Sequence, residues 1–303
     1  MNITELNDRF SIQSKDTKVH FRSAEGDIPI TEVENRQATA TISLQGAHLL
    51  HWVPVGQQDV IWLSDDASFA TGKSIRGGIP VCWPWFGAHE EQANYPAHGF
   101  ARTVMWQLEA TRECSADVTQ LIFKLETSQQ DGSIKKMWPW PTTLEYRMKI
   151  SNTLTLELIT SNNSENTFTL GQALHTYFQI DDVSKAVVKG LEDKDYLDKP
   201  DNFKRKTQVG SIQIDSEVDR IYLDTDNEVV IDDQLRKIHI SKQGSRSTVV
   251  WNPGKIVAVK MGDLGEEGYR KMLCVESANA AEDTVTLAAG KSHHLSVRYE
   301  IKD

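Results

Sequence analysis

A period of two in the apolar residues restricts the fold more than any other feature of this chain. Leu144, Tyr146, Met148 and Ile150 alternate with polar or charged neighbours, Ser151-Asn152-Thr153 interrupts, and Leu154, Leu156 and Leu158 resume the alternation. Successive side chains of an extended backbone point to opposite faces, so the pattern predicts two strands joined by a short turn, each apolar on one side. The C-terminal stretch repeats the theme. Val285 and Leu287 alternate, Ala289-Gly290-Lys291 turns, and Leu295, Val297, Tyr299 and Ile301 alternate again, which predicts a second hairpin.

Further strands are expected over 39–45, 118–127, 167–180, 228–231, 236–241, 247–251 and 256–260, with Asn252-Pro253-Gly254 as a turn. A helical period is convincing only near 263–272. Strands at this density with almost no helix predict an all-β chain, a large antiparallel β-sandwich. No linker or repeat divides the sequence, so residues 1–303 are expected to form one domain.

Charge and composition remove several function classes. The net charge of −10, with no basic run beyond Lys204-Arg205-Lys206, argues against a nucleic-acid partner or an anionic membrane surface. The N-terminus has no basic segment followed by an apolar one, and no stretch reaches the length of a membrane span, so a cytoplasmic location is expected. Cys82, Cys114 and Cys274 fit neither a disulfide framework nor a CxxC metal site and are expected to be reduced, small buried side chains. The run Ala67 to Ser74, ending Gly72-Lys73-Ser74, is a loose phosphate-loop match. Such a loop needs a helix after it, and Ile75-Arg76-Gly77-Gly78-Ile79-Pro80 cannot propagate one.

The remaining special residues point to a site. If 168–180 is a strand, Phe168, Leu170, Leu174, Phe178 and Ile180 form a core face, whereas His175 shares the opposite face with Gly171, Ala173 and Tyr177. Small neighbours beside a histidine leave space for a ligand. Glu276 is the one carboxylate in an apolar run, on the same face as Met272, Cys274 and Ala278, where desolvation favours a raised pKa and general-base chemistry. Arg76, before Gly77-Gly78, and Arg102, closing His98-Gly99-Phe100-Ala101-Arg102, stand in turns where a planar guanidinium can meet phosphate oxygens. Trp83, Trp85 and Phe86 fit either a core or the wall of a sugar pocket. Zinc held by Cys82, His89 and His98 matches no known ligand spacing, so no metal is expected.

Five blocks, in order, carry a resemblance. They are Gly72 to Gly87, with Arg76-Gly-Gly-Ile-Pro-Val-Cys-Trp-Pro-Trp-Phe; His98-Gly-Phe-Ala-Arg102; Ala173-Leu-His175-Thr-Tyr-Phe178; Asp219-Arg-Ile-Tyr222; and Cys274-Val-Glu276-Ser-Ala-Asn279. Together they resemble the glucose-6-phosphate 1-epimerase branch of the aldose 1-epimerase superfamily. The resemblance implies a galactose-mutarotase-like sandwich and an isomerase that interconverts anomers of hexose 6-phosphates without metal or organic cofactor. It implies His175 as general acid, acting as an imidazolium, Glu276 as general base, Arg76 and Arg102 as phosphate ligands, Asp219 as a holder of sugar hydroxyls, and His98 near the sugar. The expected partner is a small-molecule hexose 6-phosphate, and the chain is expected to be a monomer. One position departs from the pattern: Ala97 stands where the family often has Gln before the His-Gly pair, which bears on sugar selectivity. Two other functions fit the same blocks: an epimerase of unphosphorylated aldoses, and a sandwich that binds carbohydrate without catalysis.

Overall fold

In the computed structural model, which describes residues 1–302, the expected central hairpin is present as strands Thr142–Ile150 and Thr153–Asn162. Leu154, Leu156 and Leu158 stand opposite Ile150, Met148 and Tyr146 on one side and opposite Tyr299, Val297 and Leu295 on the other. All nine are fully or almost fully buried. The period-two pattern therefore becomes one continuous apolar face, and each such side chain contributes about 1.5–3 kcal/mol through burial.

This face belongs to a nine-stranded sheet, which packs against an eight-stranded sheet built around Met272–Asn279. Every ladder between strands is antiparallel. The layers meet through Leu174, Phe178, Leu273 and Val275 of the second sheet. Phe178 sets its ring edge-on to Tyr299 at 5.2 Å, and the Tyr299 hydroxyl lies 2.6 Å from Thr176 Oγ1, so that buried polar tip is satisfied. A five-stranded sheet from the N-terminal part, Ile12 to Pro54, and a two-stranded sheet complete the all-β antiparallel architecture. Among the described residues no helix is long and apolar enough to cross a membrane.

Four local expectations are corrected. The segment 256–260 is not a strand but part of helix Gly254–Met261, which begins where the Asn252 side chain accepts from the Gly254 amide and Pro253 sets the first turn. Its β-branched residues favour strands, but Ile256 and Val259 are exposed and only Gly254 and Ala258 are buried, so no sheet edge claims it. The expected helix at 263–272 is reduced to Gly268–Lys271, because Gly265 at φ +76° breaks it and Met272 already begins a strand. The C-terminal hairpin turns as expected, but its arms do not pair with each other. Val285–Leu287 pairs with Phe168–Leu170, and Ser292–Lys302 runs between Thr153–Asn162 and Lys237–Gln243. Cys114 is exposed, unlike the buried Cys82 and Cys274, because it lies in the exposed stretch Glu113–Ser115 of an edge strand. All three cysteines are free.

The expected long strand 167–180 is divided into Phe168–Leu170, Gln172–Leu174 and Tyr177–Gln179. The last two pair with Met272–Asn279 in a single unbroken register, Leu174 opposite Ser277 and Tyr177 opposite Cys274. His175 and Thr176 fall in the gap between them. Here the backbone leaves the ladder, and the His175 amide donates to the Pro80 carbonyl instead. The constant register places the His175 side chain opposite Glu276.

Candidate active site

Three rungs of the eight-stranded sheet, read across the face turned away from the core, define the site. One runs Asp219, Trp251, Cys274, Tyr177. The next runs Ile221, Val249, Glu276 and, across the gap, His175. The third runs Leu223, Ser247, Ala278, Ala173, Cys82. Small residues on the third rung leave room, whereas aromatics on the first wall it: the Tyr177 ring stacks on His175 at 4.9 Å, and Trp251 meets both rings edge-on at 5.9 Å.

His175 Nε2 lies 3.4 Å from Glu276 Oε1, with 9% and 1% of the two side chains exposed. Their other polar atoms, His175 Nδ1 and Glu276 Oε2, are buried and have no hydrogen-bond partner among the described residues. Buried polar atoms rarely go unpaired, and two on one contacting pair are a mark of a place for a polar ligand. Burial pushes the Glu276 carboxyl well above the ordinary carboxylate value, and the charge of Asp219 pushes the same way against Lys199 and Arg102. Burial also pushes His175 well below the ordinary histidine value, helped by His98, Arg102 and Arg76. The expected imidazolium thus stands against the direction in which burial moves His175. Low dielectric favours the uncharged form of each partner, and the neighbouring positive charges add to this at His175.

The other expected residues surround this pair. Arg76 donates from Nε to Asp263 Oδ1 and from Nη1 to the Tyr177 hydroxyl, both at 3.0 Å, which fixes the guanidinium plane and leaves donors free. The following turn requires glycine. A Cβ on Gly78, at φ +69°, would lie 2.3 Å from His48 Nε2 and 2.5 Å from the Leu49 carbonyl. Arg102 donates from Nη2 to the Ala97 carbonyl at 2.8 Å, and its buried Nε has no partner among the described residues. Ala97 thus contributes its backbone to holding Arg102, while its side chain is exposed. Asp219 accepts from Lys199 Nζ at 2.6 Å.

His98 adopts φ 65° ahead of Gly99, where a Cβ would come within 1.9 Å of the Trp83 carbonyl. Its Nδ1 accepts from the Gly87 amide at 3.3 Å, and burial with Arg102, Lys199 and Arg76 pushes its pKa down to about 3. A neutral ring accepting at Nδ1 carries its proton on Nε2, so His98 offers a donor beside His175, whose ring centroid lies 5.5 Å away. The aromatic loop divides between the core and the neighbourhood of His98. Trp83 is fully buried in the core against Phe100 and Trp138, whereas Phe86 is half-buried with its ring edge-on to His98 at 4.9 Å. Trp85 turns toward Tyr95 and lines a separate cavity of about 350 Å³ with Trp138 and Trp140.

Sequence reasoning missed Tyr177, Asp263, Lys199 and Trp251 as members of the site. Tyr177 had a local signal, being two residues from His175 on the same strand face. The other three reach the site through strand register and loop packing, which no local pattern encodes.

Known proteins resemble this chain over most of its length. The family described as aldose 1-epimerase matches residues 29–300. A protein from Escherichia coli (strain K12) named "Putative glucose-6-phosphate 1-epimerase" is 38% identical over 273 residues, covering 89% of each chain. The crystal structure of a "putative mutarotase (YeaD)" from Salmonella typhimurium superposes with a TM-score of 0.86 at 32% identity, over 99% of both chains. A "galactose mutarotase-like protein" from Clostridium acetobutylicum, only 13% identical, has the same fold with a TM-score of 0.74 over 96% of this chain and 100% of its own.

Proposed function

Because this chain belongs to the aldose 1-epimerase family, we propose that it interconverts the α and β anomers of hexose 6-phosphates, glucose 6-phosphate foremost. One observation supports the reading above the others: a buried His175 and Glu276 pair with unpaired polar atoms, in the field of two loop arginines, Arg76 and Arg102. An acid and base pair has no use in a protein that only binds sugar. Two arginines have little use beside an uncharged one.

The chemistry needs a proton taken from the O1 hydroxyl and one given to the ring oxygen O5. In the resting pair a single proton sits on Glu276. When sugar hydroxyls donate to that carboxyl they favour its charged form, and the proton passes to His175 across the short Nε2 to Oε1 gap. Glu276 then accepts the O1 proton as His175 protonates O5, and the C1–O5 bond opens. After rotation about C1–C2, O5 attacks the other face of the aldehyde, returning its proton to His175 while O1 takes one from Glu276. The resting protonation state, Glu276 protonated beside neutral His175, is thus the one that faces the open-chain sugar. Arg76 and Arg102 hold the phosphate, and Asp219 and His98 take sugar hydroxyls.

The test is anomer exchange measured by NMR on glucose 6-phosphate and free glucose side by side, with the spontaneous rate subtracted. Acceleration of the phosphorylated sugar at least about ten times greater in kcat/KM supports the proposal, as one good charged hydrogen bond is worth that much. Equal acceleration would make the protein an epimerase of unphosphorylated aldoses.

The pH dependence follows from the same pair. The working state holds one proton. A second binds only as His175 titrates, and burial with the surrounding positive charges moves that step below the ordinary histidine value of 6.5. The last proton leaves as Glu276 ionises, a step moved above 4.5. We expect kcat/KM to hold as pH falls through 6.5 and to decline only in more acid solution. An acid limb centred at 6.5 would mean a solvated, unperturbed histidine.

A further inference from the structure

Cys274 is the one reactive side chain at the centre of the site for which the epimerase mechanism has no use. It stands two residues before Glu276 on the same face of one strand, directly opposite Tyr177, and is fully buried. One ring nitrogen of His175, Cys274 Sγ and one carboxylate oxygen of Glu276 all lie within 4.8 Å of one another. Two buried polar atoms of these residues, His175 Nδ1 and Glu276 Oε2, have no partner among the described residues.

We propose that His175, Cys274 and Glu276 form a three-ligand site for a thiophilic divalent cation of the zinc or cadmium class. A nitrogen, a sulfur and an oxygen ligand with a fourth position open is the coordination pattern such ions accept, with bonds of about 2.0–2.3 Å. Ligand atoms around such an ion sit about 3.5 Å apart, so side-chain shifts of about 1 Å close the observed spacing. Magnesium and calcium are disfavoured, because they require mostly oxygen ligands and only Glu276 supplies one. On binding, the Cys274 S–H and Glu276 O–H bonds break as the metal–sulfur and metal–oxygen bonds form, and both protons leave to the buffer. Thiolate and carboxylate then balance the two charges of the ion against the opposing field of Arg76 and Arg102. The ion occupies the groups that the catalytic reading assigns to proton transfer, so on that reading it excludes the sugar and blocks exchange.

Cadmium titration of the full chain, with free ion set by a metal buffer, tests this by two readouts. The first is the ultraviolet thiolate-to-cadmium charge-transfer band, which does not depend on activity. We expect the band to saturate at one ion per chain, to be lost in Cys274→Ala and to persist in Cys82→Ala. The second is inhibition of anomer exchange, competitive with sugar and weakened at least 30-fold in Cys274→Ala. Cys274→Ser keeps the side-chain shape and serves if the alanine variant folds poorly. No band in the native chain, or a band lost in Cys82→Ala and kept in Cys274→Ala, overturns the site. A band with unaltered exchange would uphold the metal site and count against the catalytic roles of His175 and Glu276.

Discussion

Glu276→Gln and His175→Asn each slow catalysed anomer exchange of glucose 6-phosphate by about 100-fold or more, the usual worth of a positioned general acid or base. Neither amide accepts or delivers a proton at neutral pH, while both approximate the shape they replace. The fold should tolerate them. Glu276 is held in a pocket that disfavours its charge, so a neutral glutamine there adds no cost of burying a charge. Unchanged thermal melting with lost turnover is therefore the expected combination, and the double variant should be little worse than either single one, because the two groups act as a unit. Exchange near the native rate in either variant would sink the assignment.

Arg76→Ala and Arg102→Ala each cut kcat/KM for glucose 6-phosphate by about 10–100-fold, the range of a charge-assisted hydrogen bond, while changing free glucose by less than about 3-fold. The comparison between substrates is essential, because each arginine also has structural partners. Loss of Arg76 frees Asp263 and the Tyr177 hydroxyl, which stands over His175, and loss of Arg102 frees the Ala97 carbonyl. A merely structural role lowers both substrates alike. Arg76→Lys should not rescue, since a point charge cannot hold Asp263 and Tyr177 in one plane and still present donors to phosphate.

Alternation made the sandwich readable, because a half-buried strand writes its inner face into every second residue. The central hairpin was legible for that reason, its turn to within one residue, while its outer ends run two and four residues beyond the alternation, to Thr142 and Asn162. Pairing was not, as the C-terminal arms show: Val285–Leu287 and Ser292–Lys302 carry the right pattern and a good turn, yet each finds its partner elsewhere. Propensity misled at 256–260, where Ile, Val and Val describe a strand that no neighbouring edge receives. At the site, His175 and Glu276 were legible as chemical oddities in apolar runs. That they face each other depends on a register more than a hundred residues apart in sequence, and the depressed proton affinity of His175 depends first on burial and then on His98, Arg102 and Arg76, brought in from elsewhere in the chain.

The gap at His175 and Thr176, bridged without any change of register, makes the spacing of acid and base a discrete quantity rather than an adjustable one. Removing or adding one residue on either strand cannot move the imidazole a little. It would rotate the ring through the sheet into the layer now filled by Phe178 and Tyr299, and carry Thr176 or Leu174 to the sugar. Loops around this sheet can lengthen and change substrate by degrees. On the proposed roles, the two strands that bring His175 to Glu276 can only keep count or lose the pair whole.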